Sequence, residues 1–266
     1  MSKKQGESKL KEVKENSKPA ANRDEEEDAR VYKFDEIDFE NIEISPLNLV
    51  DKNDKKLDQP FSFVKYHDPI IKSPVRVFSQ TGDIEVTSGG IPGHHPTFFG
   101  TDEKRESISV PLDPKQANSD KLKSFATKVD KHFGGAKVKE QLFKDIKGFK
   151  ASEYKYSPWI KIAVKKDDDS DDDSKRGKKK IVVHDSCKFK INAIWEGENT
   201  RRILTQFIKV DKGNKEDAKV STMPEIYPLI RLGTVVKIVF CVSKVWVNRS
   251  KLPGAEYKMY GVTLKA

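Results

Sequence analysis

Cysteine is scarce in this 266-residue chain: two copies, Cys187 and Cys241, each inside an apolar, β-like run. Two cysteines make no disulfide framework, so they read as buried small hydrophobes in a reducing compartment. Long apolar runs are missing as well. None approaches the ~20 residues that span a bilayer. The N-terminus is charged from Lys3 onward and carries no apolar stretch of the kind found in a secretory signal. These absences predict an intracellular protein that is neither secreted nor embedded in a membrane.

The usual catalytic and cofactor motifs are missing too. The phosphate-loop pattern does not occur; the glycine-rich loop at 89–93 lacks the following Lys-Ser/Thr and reads as a turn. There are five histidines, and the His94-His95 pair has no cysteine or acidic cluster at ligand spacing. His184-x2-Cys187 lacks a second pair. No metal and no cofactor is expected. No Ser or Cys nucleophile stands in a recognisable base motif. Glu36, Asp38 and Glu40 read as a solvated strand face. The chain is expected not to be an enzyme, with a nuclease built from scattered carboxylates as the enzymatic alternative.

Charge, by contrast, is abundant. Lys and Arg number 51 against 42 Asp and Glu, a formal net charge of +9. The pI is about 9.2 and the mean hydropathy −0.71. A cation excess suits a polyanionic partner, nucleic acid or an anionic surface; solubility alone is the bland alternative. The polarity is concentrated in segments. Residues 1–30 hold almost no large apolar side chain and read as a disordered, charge-balanced tail. Residues 31–266 read as one domain, interrupted by a charged insertion at 166–180 with six aspartates at 167–173 and five cations at 175–180.

Between these segments the pattern is mostly β. Short alternating runs occur at 41–50, 61–66, 75–78, 83–86 and 107–112, each bounded by turn residues. One amphipathic helix is clear: Leu122, Phe125, Ala126, Val129 and Phe133 form one stripe, with Asp113, Pro114 and Gln116 as start signals and Gly134-Gly135 as the stop. A second helix is predicted over 138–146. The stretch 222–232, with Pro224 and Pro228, reads as a loop or one short helical turn. The β pattern resumes at 154–164, 187–195 and 203–210, and closes in a meander over 234–264. There Val236, Ile238, Phe240 and Val242 read as core.

All three tryptophans sit in predicted strands beside cations. An indole face accepts any base, and a neighbouring Lys or Arg neutralises phosphate. Trp159 aligns with Lys161, which points to partial exposure. Trp195 aligns with Ala193 and Ile191, which points to the core. Trp246 shares a face with Asn248, opposite Val245 and Val247, so one of those faces is inside. The expected base platforms are Trp246, Tyr257 and Trp159. The expected phosphate contacts are Lys161, Arg249, Lys251 and Lys258. In the insertion, Arg176, Lys178 and Lys179 can clamp a backbone while the aspartates mimic phosphate; a solubilising insertion with no role is the other reading.

The order of these features resembles the single-stranded DNA-binding proteins of large nucleocytoplasmic DNA viruses, the poxvirus and asfarvirus type. The residues that carry it are Ile44-Ser-Pro-Leu-Asn-Leu49, Gln59-Pro-Phe-Ser-Phe63, the helix, Pro158-Trp-Ile-Lys-Ile-Ala-Val164, the charged insertion, and a closing tryptophan-bearing strand followed by Tyr260-Gly-Val-Thr-Leu264. The resemblance implies an α+β, mostly β fold: an OB-like antiparallel β-barrel with one or two helices. It also implies sequence-independent single-stranded DNA binding in viral genome replication, recombination or repair. Replication proteins are implied as partners, with self-association along the strand and a place at the viral replication site in the host cytoplasm or nucleus. The alternative is a virion or scaffold protein with a basic, genome-contacting surface.

Overall fold

The structure is a computed structural model and describes residues 30–71, 73–92, 101, 105–144, 146–163, 183–196, 201–248 and 258–266. In chain order the strands are β1 (Val31–Tyr32), β2 (Ile42–Ile44), β3 (Asn48–Val50), β4 (Lys56–Tyr66), β5 (Phe78–Gln80), β6 (Ile84–Glu85) and β7 (Ser107–Pro111). The helices α1 (Ala117–Phe133) and α2 (Ala136–Phe143) follow. Then come β8 (Tyr154–Ser157), β9 (Ile160–Lys161), β10 (Ser186–Lys190), β11 (Ala193–Trp195), β12 (Arg201–Ile203), β13 (Ile208–Asp211) and β14 (Asn214–Asp217). The last elements are α3 (Met223–Ile226), β15 (Val235–Val236), β16 (Val239–Asn248) and β17 (Lys258–Lys265).

Eleven strands form one mixed sheet whose main path is β1-β5-β16-β17-β10-β7. The strand β16 is its spine, pairing with β17 on one side and with β4 and β5 in succession on the other. The sheet does not close, because its end strands β1 and β7 are not paired with each other. This corrects the OB-like barrel that the resemblance implies. A barrel needs one continuous hydrogen-bonded circuit. Here strand β17 divides its free edge between two parallel partners, β8 near its start and β10 at its end, so the sheet forks instead of curling shut. The broad class, α+β and mostly β, stands.

One face of the sheet is apolar and is covered by helix α1. Leu122, Phe125, Ala126, Val129 and Phe133 are all buried, as their spacing predicts. Phe125 packs among Phe240, Trp159 and Phe34, and Trp159 meets Phe189 edge-on with ring centroids 5.3 Å apart. The helix starts later than its signals suggest. Gln116 occupies the N-cap with its side chain bonded to the Glu85 backbone and not to the helix, and Asp113 accepts from the Lys115 amide in the turn before it. The predicted second helix is α2, and the stretch 222–232 contains α3, with a Thr222–Glu225 capping box. Ile238, Phe240 and Val242 are buried as expected, Val236 partly, and both cysteines are buried.

Helix and sheet are joined by one carboxylate. Asp130 Oδ1 accepts from the Trp159 amide at 2.6 Å and the Tyr156 hydroxyl at 2.8 Å, and Oδ2 accepts from the Ile160 amide at 3.1 Å. Burial, then Asp130, pushes the Tyr156 phenol well above its ordinary value, so it stays a donor. Asp130→Ala leaves these donors without their acceptor and is expected to cost about 3 kcal/mol. Urea unfolding checks this: the midpoint should fall with an unchanged slope.

Candidate nucleic-acid interface

The opposite face of the sheet carries the site. Alternation on strand β16 sends Val245 and Val247 into the core and Lys244 and Trp246 to the outer face. Lys244 lies opposite Phe63, and Trp246 opposite Phe61, on strand β4. That strand is inverted in character: Ser62 is fully buried, while Phe63 is 52% exposed. The rings of Phe61 and Phe63 meet edge-on at 5.1 Å, and the Lys244 ammonium lies 4.7 Å from the Phe61 ring centre. On the other flank Trp246 faces Gly261. A Cβ at Gly261 would lie 2.7 Å from the indole Cζ2, so a glycine in mid-strand is what lets the indole lie down.

Cations continue across the sheet. Lys188 and Lys190 of strand β10 alternate with the buried Cys187 and Phe189, and Lys190 pairs in register with Lys265. Lys161 pairs in register with Ser186 on the same face. Among the described residues only one of Lys161, Lys188, Lys190, Lys244 and Lys265 has a carboxylate partner: Lys190, 2.6 Å from Glu106. Glu106 also holds the buried Arg201. Burial first, and then Lys190 and Lys265, hold the Lys244 amine below the ordinary lysine value. Burial and Lys190 do the same to Lys265; burial and Lys188 do so to Lys161. The face is a set of crowded, half-dehydrated cations interleaved with aromatic rings.

A groove of about 330 Å³ opens where the sheet forks. Pro158 and Trp159, in the link between β8 and β9, both line it, Trp159 buried and Pro158 exposed. Lys161, Lys188, Lys190 and Trp246 line the groove, with Glu106 and Ser107 among its other walls.

The predicted site residues separate. Trp246 is half-buried on the outer face, and Lys161 lines the groove beside it. Trp159 is 4% exposed, with its indole N–H donated to the Lys188 carbonyl at 2.8 Å. It is a wall of the groove, not a free stacking platform. Lys258 shares the core-side register of Tyr260 and pairs with Glu153, away from Trp246. Arg176, Lys178, Lys179, Arg249, Lys251 and Tyr257 lie outside the described residues. Trp195, expected in the core, is 49% exposed and carries Arg201 4.6 Å from its ring centre; among the described residues β11 pairs only with β12. Sequence reasoning missed Phe61, Phe63, Lys188, Lys190, Lys244 and Lys265. The Phe-Ser-Phe pattern was the available signal, but it reads equally as aromatics in and serine out.

Among the described residues no group of three or more His, Cys, Asp or Glu side chains is arranged to hold a metal ion, and no helix is long and apolar enough to cross a membrane. No family model matches the chain. The chain is similar to the uncharacterized protein R505 of Acanthamoeba polyphaga mimivirus, 31% identical over 271 residues, which takes in 96% of this chain and 64% of that protein. The chain thus spans less than two thirds of the length of the curated relative it matches.

The crowded lysines give a pH prediction. An amine depressed in the folded state binds fewer protons there than in the unfolded chain, so its unfavourable contribution is present at neutral pH. It fades as pH rises toward the ordinary lysine value of ~10.4. Lys244→Met should therefore be more stable than the parent at neutral pH, with the gap narrowing as pH rises. Paired urea titrations across that range check this; a constant gap contradicts it.

Proposed function

We propose that the chain is a sequence-independent single-stranded DNA-binding protein that acts in viral genome replication, recombination or repair. The observation that carries this reading is the outer sheet face, where Trp246, Phe61 and Phe63 alternate with Lys244, Lys188, Lys190 and Lys265. Rings on one open face offer stacking to splayed bases, and the ammonium groups between them neutralise the backbone. Duplex bases are already stacked and cannot use the rings. The net charge of +9 and the similarity to a mimivirus protein support the partner and the viral setting.

A self-assembling virion or scaffold protein is the second reading. It is favoured by the hairpin of strands β13 and β14, every residue of which is exposed, Ile208 and Val210 included. Isolated hairpins are marginal in water and gain from a neighbour. Light scattering separates the two: stable large assemblies without nucleic acid favour the scaffold.

Titration with oligothymidylate should quench tryptophan emission, with affinity falling steeply in salt. Trp246→Ala should weaken binding by about 1–3 kcal/mol. Lys188→Ala and Lys244→Ala should each lower the slope of log K against log salt by about 0.7. Tighter binding to duplex than to single strands would sink the proposal.

A further inference from the structure

We infer that the fork groove takes the pairing edge of one unpaired base, and that this contact is what separates single strands from duplex. The inference rests on the single-strand reading of the same face and deepens it. Two chemistries divide the groove. One is aromatic and apolar, supplied by Trp246, Pro158, Trp159 and Val262. The other carries the Glu106–Lys190 pair, whose carboxylate oxygen and ammonium nitrogen are 2.6 Å apart.

That pair is a built acceptor beside a donor. The Glu106 side chain is 25% exposed, and its oxygens, bonded to Lys190 and Arg201, keep lone pairs to spare. Lys190 has three donor hydrogens and spends one on Glu106. Every nucleobase presents a donor beside an acceptor on its pairing edge, so the couple receives any base and selects none. In a duplex that edge is already used. A carboxylate is also the wrong group to meet phosphate, so the backbone belongs at the other end of the groove. There Lys161 and Lys188 have no carboxylate partner among the described residues. The base therefore enters with its edge toward Glu106 and its ring against the Trp246 side. The groove is at the small end of ligand pockets, ~300–1,000 Å³, and suits one base with its sugar.

The test uses the full chain and two probes: a short oligothymidylate and the same oligomer built from N3-methylthymidine. The methyl group removes the pairing-edge donor and leaves the backbone and the ring face in place. Anisotropy titrations should show the methylated oligomer binding about tenfold more weakly. Glu106→Ala, which removes the acceptor for that donor, should bind the two oligomers alike, whereas Lys190→Met should weaken both and keep the difference. Equal affinities in the parent protein overturn the inference and leave single-strand binding standing. Discrimination that survives in Glu106→Ala overturns it as well. Binding to neither oligomer overturns both this inference and the reading on which it rests.

Discussion

The architecture depends on what the Asp130 carboxylate does. Helix α1 could cover the sheet by apolar contact alone, but apolar contact does not fix register. By accepting from Tyr156, Trp159 and Ile160, Asp130 sets the position of the link between strands β8 and β9. That link lies in the fork between β17 and β10 and turns the Trp159 indole toward Phe125, Phe189 and Phe240. A tryptophan placed there walls the groove. A half-buried carboxylate with three donors is thus the tie between the two layers, and it sets the link that lines the groove beside strand β17.

The outer face follows from the same alternation that builds the core. Past the irregularity between Val242 and Lys244, strand β16 alternates, with Val245 and Val247 buried, which leaves Lys244 and Trp246 on the other side. The neighbouring strands repeat the choice with Phe61 and Phe63, with Lys188 and Lys190, and with Lys265. A sheet with one covered face commonly shows polar groups to water on the other. This one shows rings and amines, and burial first, then neighbouring amines, hold Lys244 and Lys265 below the ordinary lysine value. Bringing a polyanion to this face relieves that repulsion.

Much of the fold was legible in the residues, and the limits were physical. The stripe from Leu122 to Phe133 identified helix α1 because a 3.6-residue period has one meaning. Most β runs were found because alternation is local. Closure was not legible: whether strand β17 completes a circuit or divides its edge depends on distant partners such as Tyr154 and Lys190. The site was half legible for the same reason. Alternation paired Trp246 with Asn248 but gave no sign of which face held the helix, and it could not show that Trp159 points inward. Phe61 and Phe63 look like core residues until Ser62 is found buried between them. Charge totals were of less use, since helix α1 is also basic along its exposed side, at Lys121, Lys123, Lys128 and Lys131.

That second basic surface defines the most direct test of the claim that the outer sheet face is where single strands bind. Lysine acetylation mapped by mass spectrometry, with and without saturating oligothymidylate, reports each amine separately. The account predicts strong protection of Lys188, Lys190, Lys244 and Lys265 and unchanged labelling of Lys121, Lys123, Lys128 and Lys131. Protection of the helix lysines with the sheet lysines still labelled, or no protection of either set at saturation, would contradict it.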